Sequence, residues 1–262
     1  MGRIADTFAR LRQDGRGGLV AYVTAGDPDV EQSERIILAL VEGGADLLEV
    51  GVPFSDPVAD GPVIQRASER ALTAGMTLTG VLDLVERLRT RIETPIVLFT
   101  YANPVLRMDA RMFAARARGA GVDGVLMLDY PVEEAEPLRA PLADAGLDPI
   151  FLVSPTTSDE RIRRSSELGG GFLYLISRLG VTGAREAMAG DAAALVARVK
   201  RQSSLPLALG FGISRPEHVA AVCRHVDAAV VGSAIVNVVA QHQTNGAPGA
   251  VRDFVRWLKS DL

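Results

Sequence analysis

Eight short runs of apolar residues punctuate the chain, at 19–24, 47–50, 96–99, 124–128, 150–153, 172–176, 205–209 and 228–231. Each is rich in Val, Ile, Leu or Ala, with too few polar positions to leave one face in water. Between them the period changes. Ile36, Ile37, Leu40 and Val41, then Leu78, Leu82, Val85 and Leu88, recur at the three- and four-residue spacing of an amphipathic helix. Strands apolar on both faces, alternating with helices, predict a parallel sheet covered by helices. Eight near-equal β/α units without a break in composition favour a closed (β/α)8 barrel of the TIM type over an open doubly wound sheet. The whole of 1–262 then forms one barrel domain. Residues 2–14 read as an extra helix before the first strand. Residues 243–249, with Asn245-Gly246 and Pro248-Gly249, read as a turn before a last helix at 251–258.

The approaches to the strands repeat as well. Strands three, five and seven are entered through Thr94-Pro95, Asp148-Pro149 and Leu205-Pro206, and strands two, four and eight through Asp46, Asp123 and Asp227. Proline is tolerated where no ladder hydrogen bond has yet been asked of it.

Composition narrows the class. A chain of 262 residues, 48% hydrophobic and 5% aromatic, can bury roughly 75% of its unfolded surface and needs no disulfide or metal staple. The one cysteine, Cys223, has no internal partner and suits a reducing compartment. Its apolar neighbours Val219, Ala220 and Val222 predict a buried, inert thiol. Net charge is −4, and the basic stretch at 161–164 lies beside Asp159, Glu160 and Glu167, a solvated helix face rather than a nucleic-acid patch. The first thirteen residues carry charges throughout and lack a signal-peptide core. No apolar run approaches the ~20 residues of a membrane span. A soluble, cytoplasmic protein is expected.

In such barrels the functional groups stand at the C-terminal ends of the strands. After strand two comes Glu49-Val50-Gly51-Val52-Pro53-Phe54-Ser55-Asp56-Pro57-Val58-Ala59-Asp60-Gly61-Pro62, a proline-stiffened loop framed by two carboxylates. Apolar neighbours should raise the pKa of Glu49 toward that of a proton shuttle; pairing with a basic residue at the strand end is the other reading. Asp60 reads either as a functional carboxylate or as a turn-former before Gly61-Pro62. Strand seven ends in Gly210-Phe211-Gly212-Ile213-Ser214 and strand eight in Val231-Gly232-Ser233-Ala234-Ile235-Val236. Glycine loops at helix starts in these two positions form a phosphate cradle, unless Ser214 and Ser233 serve only as N-caps. The loop after strand six, with Gly180 and Gly183, has the make-up of a lid or of a plain surface loop. His218, His225 and His242 have no metal-ligand spacing, and His218 and His242 read as solvated helix positions.

These segments resemble the tryptophan synthase alpha chain family. The run from Glu49 to Pro62 is similar to its signature segment. So are Tyr22-Val23-Thr24-Ala25-Gly26-Asp27-Pro28, Tyr101-Ala102-Asn103-Pro104, Ser177-Arg178 with Gly180-Val181-Thr182-Gly183, and the two glycine loops. The resemblance spans essentially the whole chain. It implies a lyase of tryptophan biosynthesis that cleaves indole-3-glycerol phosphate to indole and glyceraldehyde 3-phosphate. Glu49 and Asp60 match its catalytic pair. Tyr22, Tyr174, Thr182 and Phe211 fall at its substrate positions, and Gly183, Gly212, Gly232 and Ser233 at its phosphate site. Tyr22 stands where the family usually has phenylalanine. No cofactor is implied in this chain; PLP belongs to a beta partner, which completes an αββα heterotetramer and receives the indole. The rim formed by Pro53, Phe54, Asp56, Pro57, Asn103, Pro104, Tyr130 and Pro131 is stiff, aromatic and poor in lysine, as a docking face requires, with Pro53 and Asp56 as the expected contacts. Other phosphate-binding barrels share the strand-seven and strand-eight loops, but no lysine stands at a strand end here as their chemistry would suggest.

Overall fold

The computed structural model describes residues 2–176, 187–210, 212–243 and 246–262. Its strands are β1 (Gly18–Thr24), β2 (Leu47–Gly51), β3 (Ile96–Thr100), β4 (Gly124–Met127), β5 (Asp148–Val153), β6 (Leu173–Ile176), β7 (Leu207–Gly210) and β8 (Ala228–Val231). They pair in sequence order, all parallel, and β1 closes the ring onto β8. The helices are α1 (Arg3–Gln13), α2 (Val30–Glu42), α3 (Pro62–Thr73), α4 (Leu78–Arg89), α5 (Ala102–Met108), α6 (Ala110–Ala120), α7 (Glu136–Asp144), α8 (Asp159–Leu168), α9 (Ala187–Lys200), α10 (Pro216–Cys223), α11 (Ser233–Gln241) and α12 (Ala247–Leu258). The architecture is the expected (β/α)8 barrel.

The apolar pattern separates into two shells. Outward-facing strand residues such as Leu19, Leu48, Leu98 and Val125 pack under the helices with Ile36, Leu40, Leu82 and Leu88. Inward-facing Val20, Leu47, Val97, Leu126, Ile150 and Phe172 fill the barrel and meet Ile4, Phe8 and Leu11 of α1, which plugs its N-terminal end. The interior is thus packed with apolar side chains at its N-terminal end.

The aspartates before β2, β4 and β8 share one job. Asp46 donates its N–H to Leu19 O and accepts the Leu19 N–H on its carboxylate. Asp123 does the same to Ile96, and Asp227 to Leu207. Each acid pins a residue at the start of the preceding strand at two points and fixes the register there. Each also faces a cation: Lys259 and Arg16 at Asp46, Arg89 and Arg3 at Asp123, Arg12 at Asp227.

Boundaries differ from the sequence expectation where proline acts. β7 starts after Pro206, at Leu207, while β5 starts earlier than expected and holds Pro149 opposite Val125 near its beginning. The last helix starts at Ala247, not 251: Pro248 lies in the first turn, where its missing N–H has no helical partner to lose. Cys223 is half-buried, and burial pushes its thiol up to about 11, consistent with an inert group. His218 departs from expectation, since its Nδ1 is buried without a partner.

Asp123 is the pin with the most to lose. Arg89 also donates to the carbonyls of Gly121, Ile92 and Thr94, so Asp123→Ala would strand a buried guanidinium and the Ile96 N–H. It should cost about 3–5 kcal/mol in urea unfolding, the usual penalty of breaking a buried pair. A loss under about 1 kcal/mol, as at an exposed pair, would remove the pin from the account of barrel closure.

Candidate active site

Alternation along β2 turns Leu47 and Glu49 to the barrel interior. Leu47 belongs to the solid lower layer; Glu49 is the next residue up, beside Tyr22 on β1 and Val97 on β3. Its side chain is buried, at 1% exposure, and neither carboxylate oxygen has a hydrogen-bond partner. Among the described residues no basic group pairs with it. Burial alone pushes the Glu49 carboxyl up to about 8. Of the two readings left by the sequence, the ion pair finds no partner among the described residues, which favours the poised acid.

Asp60 lies half-buried on the loop after β2. Its N–H closes a turn onto Pro57 O at 3.0 Å, but its carboxylate is free of that turn and accepts a hydrogen bond from Tyr101 Oη at 2.9 Å. The same hydroxyl accepts from the Ala59 N–H at 3.1 Å. Gln65, on α3, donates to the carbonyls of Asp60 at 2.9 Å and Pro57 at 3.3 Å. Burial pushes the Asp60 carboxyl above its usual range, while the Tyr101 bond draws it back.

Aromatic rings wall the space above Glu49. Tyr22 meets Phe99 edge-on at 5.1 Å, and Phe99 lies 6.5 Å from Tyr174. The two tyrosines are seated by one device. Tyr22 pairs with Glu49, and its hydroxyl leans over Gly51, two residues on, where a Cβ would lie 2.3 Å from it. Tyr174 pairs with Ala208 and leans over Gly210, where a Cβ would lie 2.7 Å from its hydroxyl. Tyr22 Oη also bonds Thr24 Oγ1 at 3.3 Å. Burial first, then Asp60 and Glu49 at Tyr22 and Glu49 at Tyr174, push both phenols far above their ordinary range, so they stay neutral donors.

At the ends of β7 and β8 the glycine loops face the same mouth. Neither expected serine cap occurs: Arg215 caps α10, and Gly232 caps α11, with no side-chain cap bond at either. The first N–H groups of α11 therefore have no side-chain acceptor and are free for an anion. Gly212 is exposed with open space above it. Phe211, Thr182 and Gly183 lie outside the described residues, as does the expected lid at 179–189 except for its last three positions, which begin α9. Of the expected docking contacts Asp56 is exposed and Pro53 is buried.

Sequence reasoning missed Tyr101, Thr24 and Gln65 as parts of this site. Tyr101 was within reach of the rule used for the others, since it directly follows a barrel strand. Gln65 carries no such signal; its role depends on where α3 starts.

The unpaired Glu49 ties stability to pH. A carboxyl raised from 4.5 to about 8 binds its proton more tightly folded than unfolded. Its contribution is full below 4.5 and is lost as pH rises through about 8. Urea unfolding between pH 5 and 9 should show the chain losing stability relative to its Glu49→Gln variant, by on the order of a few kcal/mol. Parallel curves for the two proteins would mean that Glu49 is solvated or paired.

Comparison with known proteins agrees with this geometry. The family model described as tryptophan synthase alpha chain matches residues 8–256. A tryptophan synthase alpha chain of Solibacter usitatus (strain Ellin6076) is 49% identical over 260 residues, 99% of this chain and 97% of the relative. One of Burkholderia pseudomallei (strain 1106a) is 48% identical over 263 residues, 100% of this chain and 97% of the relative. Among solved structures, the tryptophan synthase subunit alpha of Legionella pneumophila str. Paris superposes with a TM-score of 0.92 at 37% identity, covering 100% of this chain and 98% of that one. A Mycobacterium tuberculosis tryptophan synthase structure gives 0.90 at 36% identity, covering 99% and 98%. With a family match across nearly all its length and relatives at half identity, this chain belongs to the tryptophan synthase alpha chain family.

Proposed function

We propose that this chain catalyses the alpha reaction of tryptophan biosynthesis, the retro-aldol cleavage of indole-3-glycerol phosphate to indole and glyceraldehyde 3-phosphate, with Glu49 as proton shuttle and Asp60 as charge partner. The observation that carries the assignment is the buried carboxyl of Glu49, unpartnered among the described residues and pushed up to about 8 by burial at the top of the barrel core.

The reaction needs a proton delivered to indole C3 and one taken from the hydroxyl on the adjacent side-chain carbon. At neutral pH Glu49 rests protonated and so begins as the acid. Once C3 is protonated, Glu49 is a carboxylate and accepts the hydroxyl proton. The C–C bond breaks, its electrons return to the ring, an aldehyde forms, and Glu49 is protonated again. One residue thus serves both transfers, and the indole ring itself is the electron sink, so the step draws on no cofactor in this chain. During C3 protonation positive charge grows on the indole nitrogen. Asp60, accepting that N–H, binds the charged state better than the ground state and lowers the barrier. Tyr22 and Tyr174 form the ring-binding wall, and Phe211 is the further substrate residue that the family resemblance implies. Thr182 closes over the substrate, and Gly183, Gly212, Gly232 and Ser233 hold the phosphate. The uncapped start of α11 supports that cradle.

Indole is small, neutral and apolar, and it would escape through water or membrane unless handed on directly. The expected recipient is a PLP-dependent beta subunit in an αββα assembly. The loop of Asp56 supports a docking face there: Val58 is 86% exposed beside it, and Leu106 and Met112 beyond β3 are 55% and 60% exposed. Apolar side chains held out in this way are what a partner covers.

Two experiments test the reading. Glu49→Gln should lower turnover by roughly 10² to 10⁴, the usual worth of a general acid–base. In the unmodified chain kcat/KM should fall as pH rises through about 8, where free Glu49 loses the proton it must deliver. A Gln variant with more than about a tenth of the rate sinks the assignment. For the partner, light scattering of the chain mixed with its beta subunit should show a heavier complex and faster aldehyde release. Val58→Asp or Asp56→Ala should weaken both by roughly tenfold or more; an undisturbed complex would place the docking face elsewhere.

A further inference from the structure

We propose that Tyr101 is the positioning residue of Asp60, holding the loop carboxylate in the one orientation that receives the indole N–H. The proposal rests on the role given to Asp60 above.

Asp60 is carried by a loop, and loops place side chains poorly unless something rigid holds them. Tyr101 is rigid. It directly follows β3, its side chain is buried, and its ring packs against Phe54 at 5.0 Å. Its hydroxyl makes two bonds to the same loop. It accepts from the Ala59 N–H, which orients the O–H, and it donates that hydrogen to Asp60 Oδ2. A phenol with its acceptor side occupied by a backbone N–H has one hydrogen to give and one place to give it. Gln65 fixes the backbone on the other side through the carbonyls of Pro57 and Asp60. The carboxylate is thereby held at one oxygen, leaving the other to the substrate. Because Phe54 belongs to the same loop as Asp56, the ring contact also joins the docking segment to the catalytic one.

The groups around the pair are few. Tyr22 from β1 and Tyr101 from the end of β3 face Asp60, and Asp129 from the end of β4 faces Tyr101 while accepting the Ala102 N–H at 2.7 Å. Among the described residues no cation bonds Asp60. The Tyr101 hydrogen bond is therefore the main force opposing burial there, and its removal should move the titration of Asp60 upward.

Tyr101→Phe keeps the ring and its packing on Phe54 and deletes only the O–H. Measured on the chain together with its beta subunit, kcat should fall roughly ten- to hundredfold, as expected for a hydrogen bond to a charged group. KM should change little, and the acid limb of the kcat/KM profile should shift to higher pH. The loss should vanish in an Asp60→Asn background, since the two residues act as one unit. A Tyr101→Phe enzyme with normal turnover, with an unmoved acid limb, or with an undiminished loss in the Asp60→Asn background overturns the proposal while leaving Asp60 in place. If Asp60→Asn alone retains full turnover, the role of Asp60 fails and the proposal falls with it; the single variants distinguish the two failures.

Discussion

Glu49 is buried at the top of the barrel core, and most of the site follows from that constraint. Closing eight parallel strands turns every second side chain inward, and below Glu49 those side chains and α1 leave no space for solvent. A carboxylate there would be ionised without a single donor, so the proton stays on until about pH 8. The aromatic wall has the same origin. Tyr22, Phe99 and Tyr174 are the inward positions of the upper layer, and the notches at Gly51 and Gly210 let two of the rings lean across to the next strand. The ionised form of Glu49 is destabilised there, and under the proposed function its neutral form is the reagent.

The fold was legible because its two periods are so distinct. Runs apolar on both faces have one explanation in a chain this long, and their number and even spacing closed the barrel. Boundaries were less legible where a residue serves two roles. Pro149 lies inside β5 although proline was read only as an approach residue, and Pro248 begins α12 although Pro-Gly was read as a turn. The difference is whether the missing N–H would have been used, and that depends on neighbours the sequence does not display.

The candidate site divides in the same way. Glu49 was readable because a charged residue in an apolar strand is an anomaly that needs a reason. Asp60 was not decidable alone, since a turn and a functional carboxylate look alike between proline and glycine. Its side chain goes to Tyr101 while its backbone makes the turn, so the turn does not use up the carboxylate and the two readings do not exclude each other. Exposure within this loop was not legible either. Pro53 is buried while Val58, five residues on, is open.

The acids of this barrel divide by end. At the N-terminal ends of the strands, Asp46, Asp123 and Asp227 each hold a strand N–H and each face a cation. Burial pushes the Asp46 carboxyl up, but Arg16 and Lys259 outweigh it and keep it below the ordinary range. At the C-terminal ends, Glu49 and Asp60 face phenols instead, and both are raised. A cation beside Glu49 would lower its pKa and, in the proposed mechanism, remove the proton that the first step delivers. A cation beside Asp60 would compete there with the indole nitrogen for its charge. Carboxylates are thus paired with cations at one end and left without them, among the described residues, at the proposed site. Asp148 shows that pairing, not position, decides the state of an acid. It lies at the lower end near Asp123, no cation bonds it among the described residues, and its carboxyl is raised by burial and by that neighbour.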